Sequence, residues 1–269
     1  MTGTVIAQLV SLLGLIYVQR YYYGPEEFAN FKLFYEFAAI FIGISALRLE
    51  SGIVLERDNS KARSLTNLSF KLVLITGLIS FISLIIYAQY DKGLATFYDN
   101  KLLLILMPIT VILSGFIQVF NSWFTREQSF KLISGNKVVQ NTSSVGGQLY
   151  FALISLINYG LIYGRLVGLF FANIIFMGNY FSSKNEVKSQ QGITKELIVK
   201  NKKFIYFTTP SVLLSGLINF LLIDLFMKYY GEDFSGKIGS AYHYLGISIA
   251  VITTSFAQVY YSKLSTINS

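Results

Sequence analysis

Gln140, Ser144 and Gln148 recur at every fourth position of an otherwise apolar stretch. At that spacing they share one face of a helix, and Asn141 lies close to that face. Such side chains are costly against lipid, so the face should point to protein or to a water-filled cavity. Close helix packing through Ser144 and Gly147 is the alternative. Glu36 and Arg165 are charges within apolar segments. An intramembrane charge is a functional candidate by default, but a long side chain near the membrane edge snorkels to the interface, and snorkelling is the expectation for both. Asp224 and Lys228, four apart at a helix end, should form an interfacial ion pair. The single histidine, His243, reads as a packed or interfacial side chain. Trp123 and the tyrosines near segment ends read as an interfacial belt.

Other chemistries are excluded. The chain has no cysteine and one histidine. That removes disulfides, thiolate sites, a cysteine nucleophile and a multi-histidine metal site. There is no glycine loop ending in Lys-Ser/Thr for phosphate, no exposed carboxylate pair and no Ser/His/Asp set on a soluble face. The chain therefore reads as a non-enzyme that needs no cofactor.

The elements that carry these residues are membrane helices. Of 269 residues, 53% are hydrophobic and 13% charged, where a soluble domain carries about a quarter charged. The mean hydropathy is +0.53. The fold class is an all-α polytopic transmembrane bundle of about eight helices. The segments are Thr4–Gln19, Asn30–Leu47, Leu72–Tyr90, Leu102–Phe124, Val138–Ile157, a sixth from an Asn158-Tyr159-Gly160 turn to Ser183, Phe204–Ile223 and Ile238–Tyr261. None alternates with period two, so a β-barrel is not expected. Pro108 and Pro210 fall inside segments and predict kinks, either functional or tolerated by packing.

The net charge of +8 would suggest nucleic acid in a soluble protein. Here the cations lie between apolar segments, so the partners are membrane lipids and not nucleic acid. The loop after the second segment carries Arg48, Arg57, Lys61, Arg63 and Lys71, and the loop after the fourth carries Arg126, Lys131 and Lys137. The stretch after the sixth carries a run of lysines from Lys184 to Lys203. The alternate loops hold far fewer, among them Arg20 and Lys32. The positive-inside rule puts the cationic side and both termini in the cytoplasm. The expected organisation is a six-helix lobe over 1–183, a cytoplasmic linker over 184–203 and two further helices over 204–269.

Four short patterns, in order, carry a resemblance. Arg48-Leu49-Glu50 followed by Gly52-Ile53-Val54-Leu55 sits after the second segment, and Tyr23-Gly24-Pro25-Glu26-Glu27-Phe28 after the first. Trp123-Phe124-Thr125-Arg126 with Phe130-Lys131-Leu132-Ile133 follows the fourth, and Gly160-Leu161-Ile162-Tyr163-Gly164 opens the sixth. The chain resembles the bacterial polysaccharide biosynthesis and export flippases, O-antigen translocases of the multidrug/oligosaccharidyl-lipid/polysaccharide (MATE-like) superfamily. It departs from their pattern at Leu49, Gly52 and Glu56.

The resemblance implies a lobed bundle with a central polar cavity. It implies flipping of undecaprenyl-diphosphate-linked oligosaccharide across the inner membrane for O-antigen, capsule or exopolysaccharide assembly, alongside other polysaccharide assembly proteins. A cationic cavity would suit the diphosphate, and the polar face of the fifth segment would suit sugar hydroxyls. Arg48 and Arg126 carry over as candidates, although the positive-inside rule also accounts for them. Full members have about twelve helices in two six-helix lobes. The resemblance therefore leads one to expect a truncated, split or degraded copy that does not transport alone. The alternatives are a membrane scaffold or inactive remnant, and a glycan polymerase or transferase. The latter usually has a large extracytoplasmic loop, whereas the longest loop here lies on the expected cytoplasmic side.

Overall fold

In the computed structural model the apolar segments are helices. The structure describes residues 2–90, 101–182 and 194–267. The helices are α1 (Thr2–Tyr21), α2 (Pro25–Gly43), α3 (Glu50–Leu55), α4 (Asn59–Tyr90), α5 (Lys101–Arg126), α6 (Phe130–Leu153), α7 (Ile157–Ser182), α8 (Thr194–Lys200) and α9 (Thr209–Ile267). A π-helical turn, Phe204–Thr208, precedes α9. No strand occurs among the described residues. The protein is an all-α helical membrane bundle.

Among the described residues, four stretches are long and apolar enough to cross a membrane by themselves: Asn59–Tyr87, Leu102–Arg126, Asn158–Ser182 and Phe204–Gly246. Helices α2 and α6 are less apolar, because α2 holds Lys32 and Glu36 and α6 is rich in amides and hydroxyls. Helices with polar faces cross a bilayer when neighbouring helices cover those faces. The outer face of α4 has the opposite character. Leu74, Ile75, Leu78, Ile79, Ile82 and Ile86 are exposed along it, a surface suited to lipid and a liability in water.

The last helix folds back on itself. At Gly231 the backbone leaves the helix with φ 82°, a region glycine enters without steric cost. Before this break, α9 runs antiparallel to α2: Gly216 abuts Ile40, and the Phe220 ring lies 5.3 Å from that of Phe37. After it, α9 returns parallel to α2: Gly236 abuts Pro25, and Gly239 abuts Lys32 and Phe28. The two halves are the seventh and eighth segments of the sequence.

Several boundaries differ from the sequence reading. Helix α2 begins five residues early, at Pro25, because proline fits the first helical position and the Glu27 carboxylate accepts the Gly24 N–H at 2.8 Å. Glu36 is therefore about three turns inside the helix, and Lys32, read as a loop cation, is buried within it. Helix α4 begins at Asn59 because the Asp58 carboxylate accepts the N–H groups of Ser60 and Lys61. The Asn158-Tyr159-Gly160 stretch is helical; the reversal lies at 154–156, where Ser155 has φ 63°. Pro210 lies inside a continuous helical run, directly after the π-helical turn Phe204–Thr208, and Pro108 lies inside α5. Trp123 is no belt residue: it is buried, with its ring 5.5 Å from Tyr180 and the Arg63 guanidinium 5.1 Å above it.

Two apolar cores result. One surrounds the aromatics of α2, with Met107, Leu161 and Phe220. The other lies where α5 ends and α4 begins, around Leu49, Ile53, Phe120, Trp123 and Phe176. Helix α8 docks on the second core. Its Leu197 is 1% exposed, Lys200 pairs with Glu56 at 2.5 Å, and Glu196 pairs with Lys61 at 2.7 Å. Burial alone would raise the Glu56 carboxyl. The hydrogen bonds from Lys200 and the Asp58 amide, with the Lys200 and Lys61 charges, instead hold it below its ordinary 4.5. A carboxyl depressed by folding stabilises the docked state fully above its unfolded pKa, and the gain is lost as pH falls through the folded value. Hydrogen exchange of the α8 amides is therefore expected to stay constant from pH 7 to about 5, after correction for intrinsic exchange rates. It should accelerate only below 4.5. Lys200→Ala should loosen α8 by about 1 kcal/mol or less, since the ammonium is largely exposed.

A candidate polar chamber between the helices

Helices α6 and α7 approach closely because glycines replace side chains along the contact. Gly147 meets Gly164, Ser144 meets Gly168, and the Gln148 backbone meets Gly164. The same approach turns the polar face of α6 inward. Ser144 and Gln148 are 5% and 4% exposed. The Gln148 amide donates to the Leu161 carbonyl at 3.4 Å, Tyr23 donates its hydroxyl to the Gln148 carbonyl at 2.9 Å, and Asn141 donates to the Ala7 carbonyl at 2.7 Å. The Ser144 hydroxyl has no partner among the described residues.

On this face Ser144 and Gln148 pack against α7 and also border a cavity. Asn141, Ser144 and Gln148 border a cavity of ≈180 Å³ together with Ser11 of α1, Tyr35 of α2, Arg165 of α7 and His243 of α9. A second cavity of ≈330 Å³ lies between α2 and the two halves of α9, lined by Lys32, Glu36, Asn219, Tyr242 and His243. His243 borders both, so the two spaces adjoin.

The chamber is cationic. The Lys32 ammonium donates to the Glu36 carboxylate at 2.6 Å, and the two side chains are 8% and 16% exposed. The Arg165 guanidinium stands 5.6 Å over the Tyr35 ring and donates to the Tyr35 hydroxyl at 3.5 Å. Among the described residues that line the two cavities, Glu36 is the one acid. Glu36 is paired with Lys32, and Arg165 lies against Tyr35. Asp224 and Lys228 form the expected ion pair, at 2.8 Å.

The structure brings Ser144, Gln148 and Arg165 onto one cavity and places Glu36 on the adjoining one. Gln140 lies apart, in a separate pocket with Asn121, Asn136 and Lys137. Arg48 and Arg126 are at the end where α2 stops and α4 starts. Arg126 donates to the Glu56 and Arg57 carbonyls at 2.9 and 3.2 Å and to the Asn59 side chain at 2.6 Å, tying the end of α5 to the loop before α4. Arg48 is 3.5 Å from Glu50, whose carboxyl is raised by burial, an effect that its backbone hydrogen bond and Arg48 offset only in part. Sequence reasoning missed Lys32, Tyr35, Asn219 and the chamber role of His243. The four-residue spacing of Lys32 and Glu36 was a usable signal. His243 meets α2 only through the reversal at Gly231.

The family model for a polysaccharide biosynthesis protein matches residues 24–269. The chain belongs to that family. No curated protein and no solved structure matches it. The matched span of this polysaccharide biosynthesis protein starts at the N-cap of α2 and takes in the chamber residues of α2, α6, α7 and α9. Ser11 of α1 lies outside it.

Proposed function

We propose that this protein carries an undecaprenyl-diphosphate-linked oligosaccharide across the bacterial inner membrane, with the diphosphate held in the chamber. The supporting observation is the cationic character of a polar space inside a membrane bundle: Lys32 and Arg165 against the single carboxylate of Glu36. A charge is costly in that setting unless it is paired, and a diphosphate would pair with the excess. Residues 1–183 act as one lobe, the linker 184–203, whose first ten residues lie outside the described residues, is cytoplasmic with both termini, and the α9 pair moves against α2. Gly216, Gly236 and Gly239 keep that contact free of side-chain ridges. Binding and release accomplish this task without a catalytic residue. The test is removal of the protein from the cell. Lipid-linked oligosaccharide should accumulate in the cytoplasmic leaflet and its polymer should disappear from the surface. Unchanged surface polymer would refute the reading.

A further inference from the structure

Gln140 belongs to a pocket that the chamber does not use. The pocket has a volume of ≈160 Å³ and lies where α5, α6 and α7 meet, with Ile117 and Phe176 as apolar walls. It is about two helical turns along α6 from Ser144, toward the end that carries Arg126. Four polar side chains converge on it: Asn121, Asn136, Lys137 and Gln140. None of them is hydrogen-bonded or ion-paired to a described residue. Asn136 is 3% exposed, and its carbonyl oxygen is buried without a donor among the described residues. Buried amides normally find partners, because leaving one unpaired is costly.

The donors and acceptors specify what would satisfy them. Asn121 and Gln140 offer amide donors, Lys137 offers an ammonium, and no acid is among the described residues that line the pocket. An ionised phosphate would serve these donors but has no hydrogen for the Asn136 oxygen. A sugar ring both donates and accepts through its hydroxyls. Its C–H faces also suit the walls of Ile117 and Phe176.

We propose that this pocket is a glycosyl subsite, which binds one sugar residue of the lipid-linked substrate separately from the diphosphate. The source of the sugar rests on the function proposed above. The test uses the purified full-length protein in nanodiscs and two probes: undecaprenyl diphosphate, and the same lipid carrying one N-acetylglucosamine. Asn136→Leu and Gln140→Leu should each weaken binding of the glycosylated probe about fivefold or more, and leave binding of the bare lipid within about twofold. The retained bare-lipid affinity shows that the variants fold. Equal weakening toward both probes, or none toward either, would overturn the subsite. Arg165→Gln should instead weaken both probes, and its failure to do so would count against the chamber and leave the subsite result standing. A wild-type chain that binds neither probe would overturn both.

Discussion

Gly164→Leu is expected to prevent accumulation of folded protein. A Cβ at this position would fall on the backbone nitrogen of Gln148 and within 2.8 Å of its Cα. Backbone cannot rotate away as a side chain can, so α6 and α7 would have to separate. Ordinary overpacking costs about 1–3 kcal/mol. Here the whole glycine-lined contact is lost, together with the inward position of Ser144 and Gln148, so the cost should exceed that range. Gly178, on the same helix, has no atom within 4 Å of its Cβ position, and Gly178→Leu should be tolerated. The measurement is the yield of monodisperse protein after detergent extraction. Equal yields for the two variants would mean that the close α6–α7 contact is not what holds this pair together.

Glu36→Gln is expected to reduce surface polysaccharide about tenfold or more in cells that carry it in place of the natural chain. The carboxylate competes with a bound diphosphate for the Lys32 ammonium, 2.6 Å away. Two unit charges at about 4 Å are worth roughly 4 kcal/mol at an effective dielectric constant of 20. A third of that changes an equilibrium tenfold. Without the competing carboxylate the diphosphate should be held more tightly and released more slowly, so the variant should co-purify with more bound lipid. Arg165→Gln should show the opposite, weaker retention. The amide that replaces the carboxylate keeps an acceptor for Lys32, so the fold should survive, whereas Glu36→Leu would leave a buried ammonium alone at a cost of about 3 kcal/mol or more. Unchanged export and unchanged lipid retention in Glu36→Gln would remove Glu36 from the mechanism.

The sequence made the class of fold and most of the helices legible because membrane segments announce themselves by hydropathy. It made half of the chamber legible for a related reason: Ser144, Gln148, Glu36 and Arg165 stand out where lipid-facing residues should be. Their outcome was harder to read. Glu36 reads as near a helix end if α2 starts at Asn30; Pro25 and the Glu27 cap lengthen the helix and place Glu36 about three turns from its start. Gln140 shares a spacing with Ser144 and Gln148, but a helix turns about 40° beyond a full circle in four residues. Over eight residues that drift takes Gln140 from the chamber to the pocket beside Asn136. His243 and Asn219 could not be placed by pattern, because one glycine, Gly231, decides that both face α2. Arg48 and Arg126 stand out by motif and by charge alike; for Arg126 the structure adds carbonyls to bond.

The central claim is that the chamber is open to water and takes the diphosphate of the lipid-linked oligosaccharide. The chain has no cysteine, so a single Asn219→Cys variant reports on one chamber position, and Ile79→Cys on the exposed apolar face of α4. The measurement is the rate at which a small hydrophilic thiol reagent modifies each, with and without added lipid-linked oligosaccharide. The account predicts rapid modification at position 219, slowed several-fold by the lipid, and slow modification at 79 that the lipid does not change. An inert thiol at 219, or one modified equally fast with the lipid present, would contradict it.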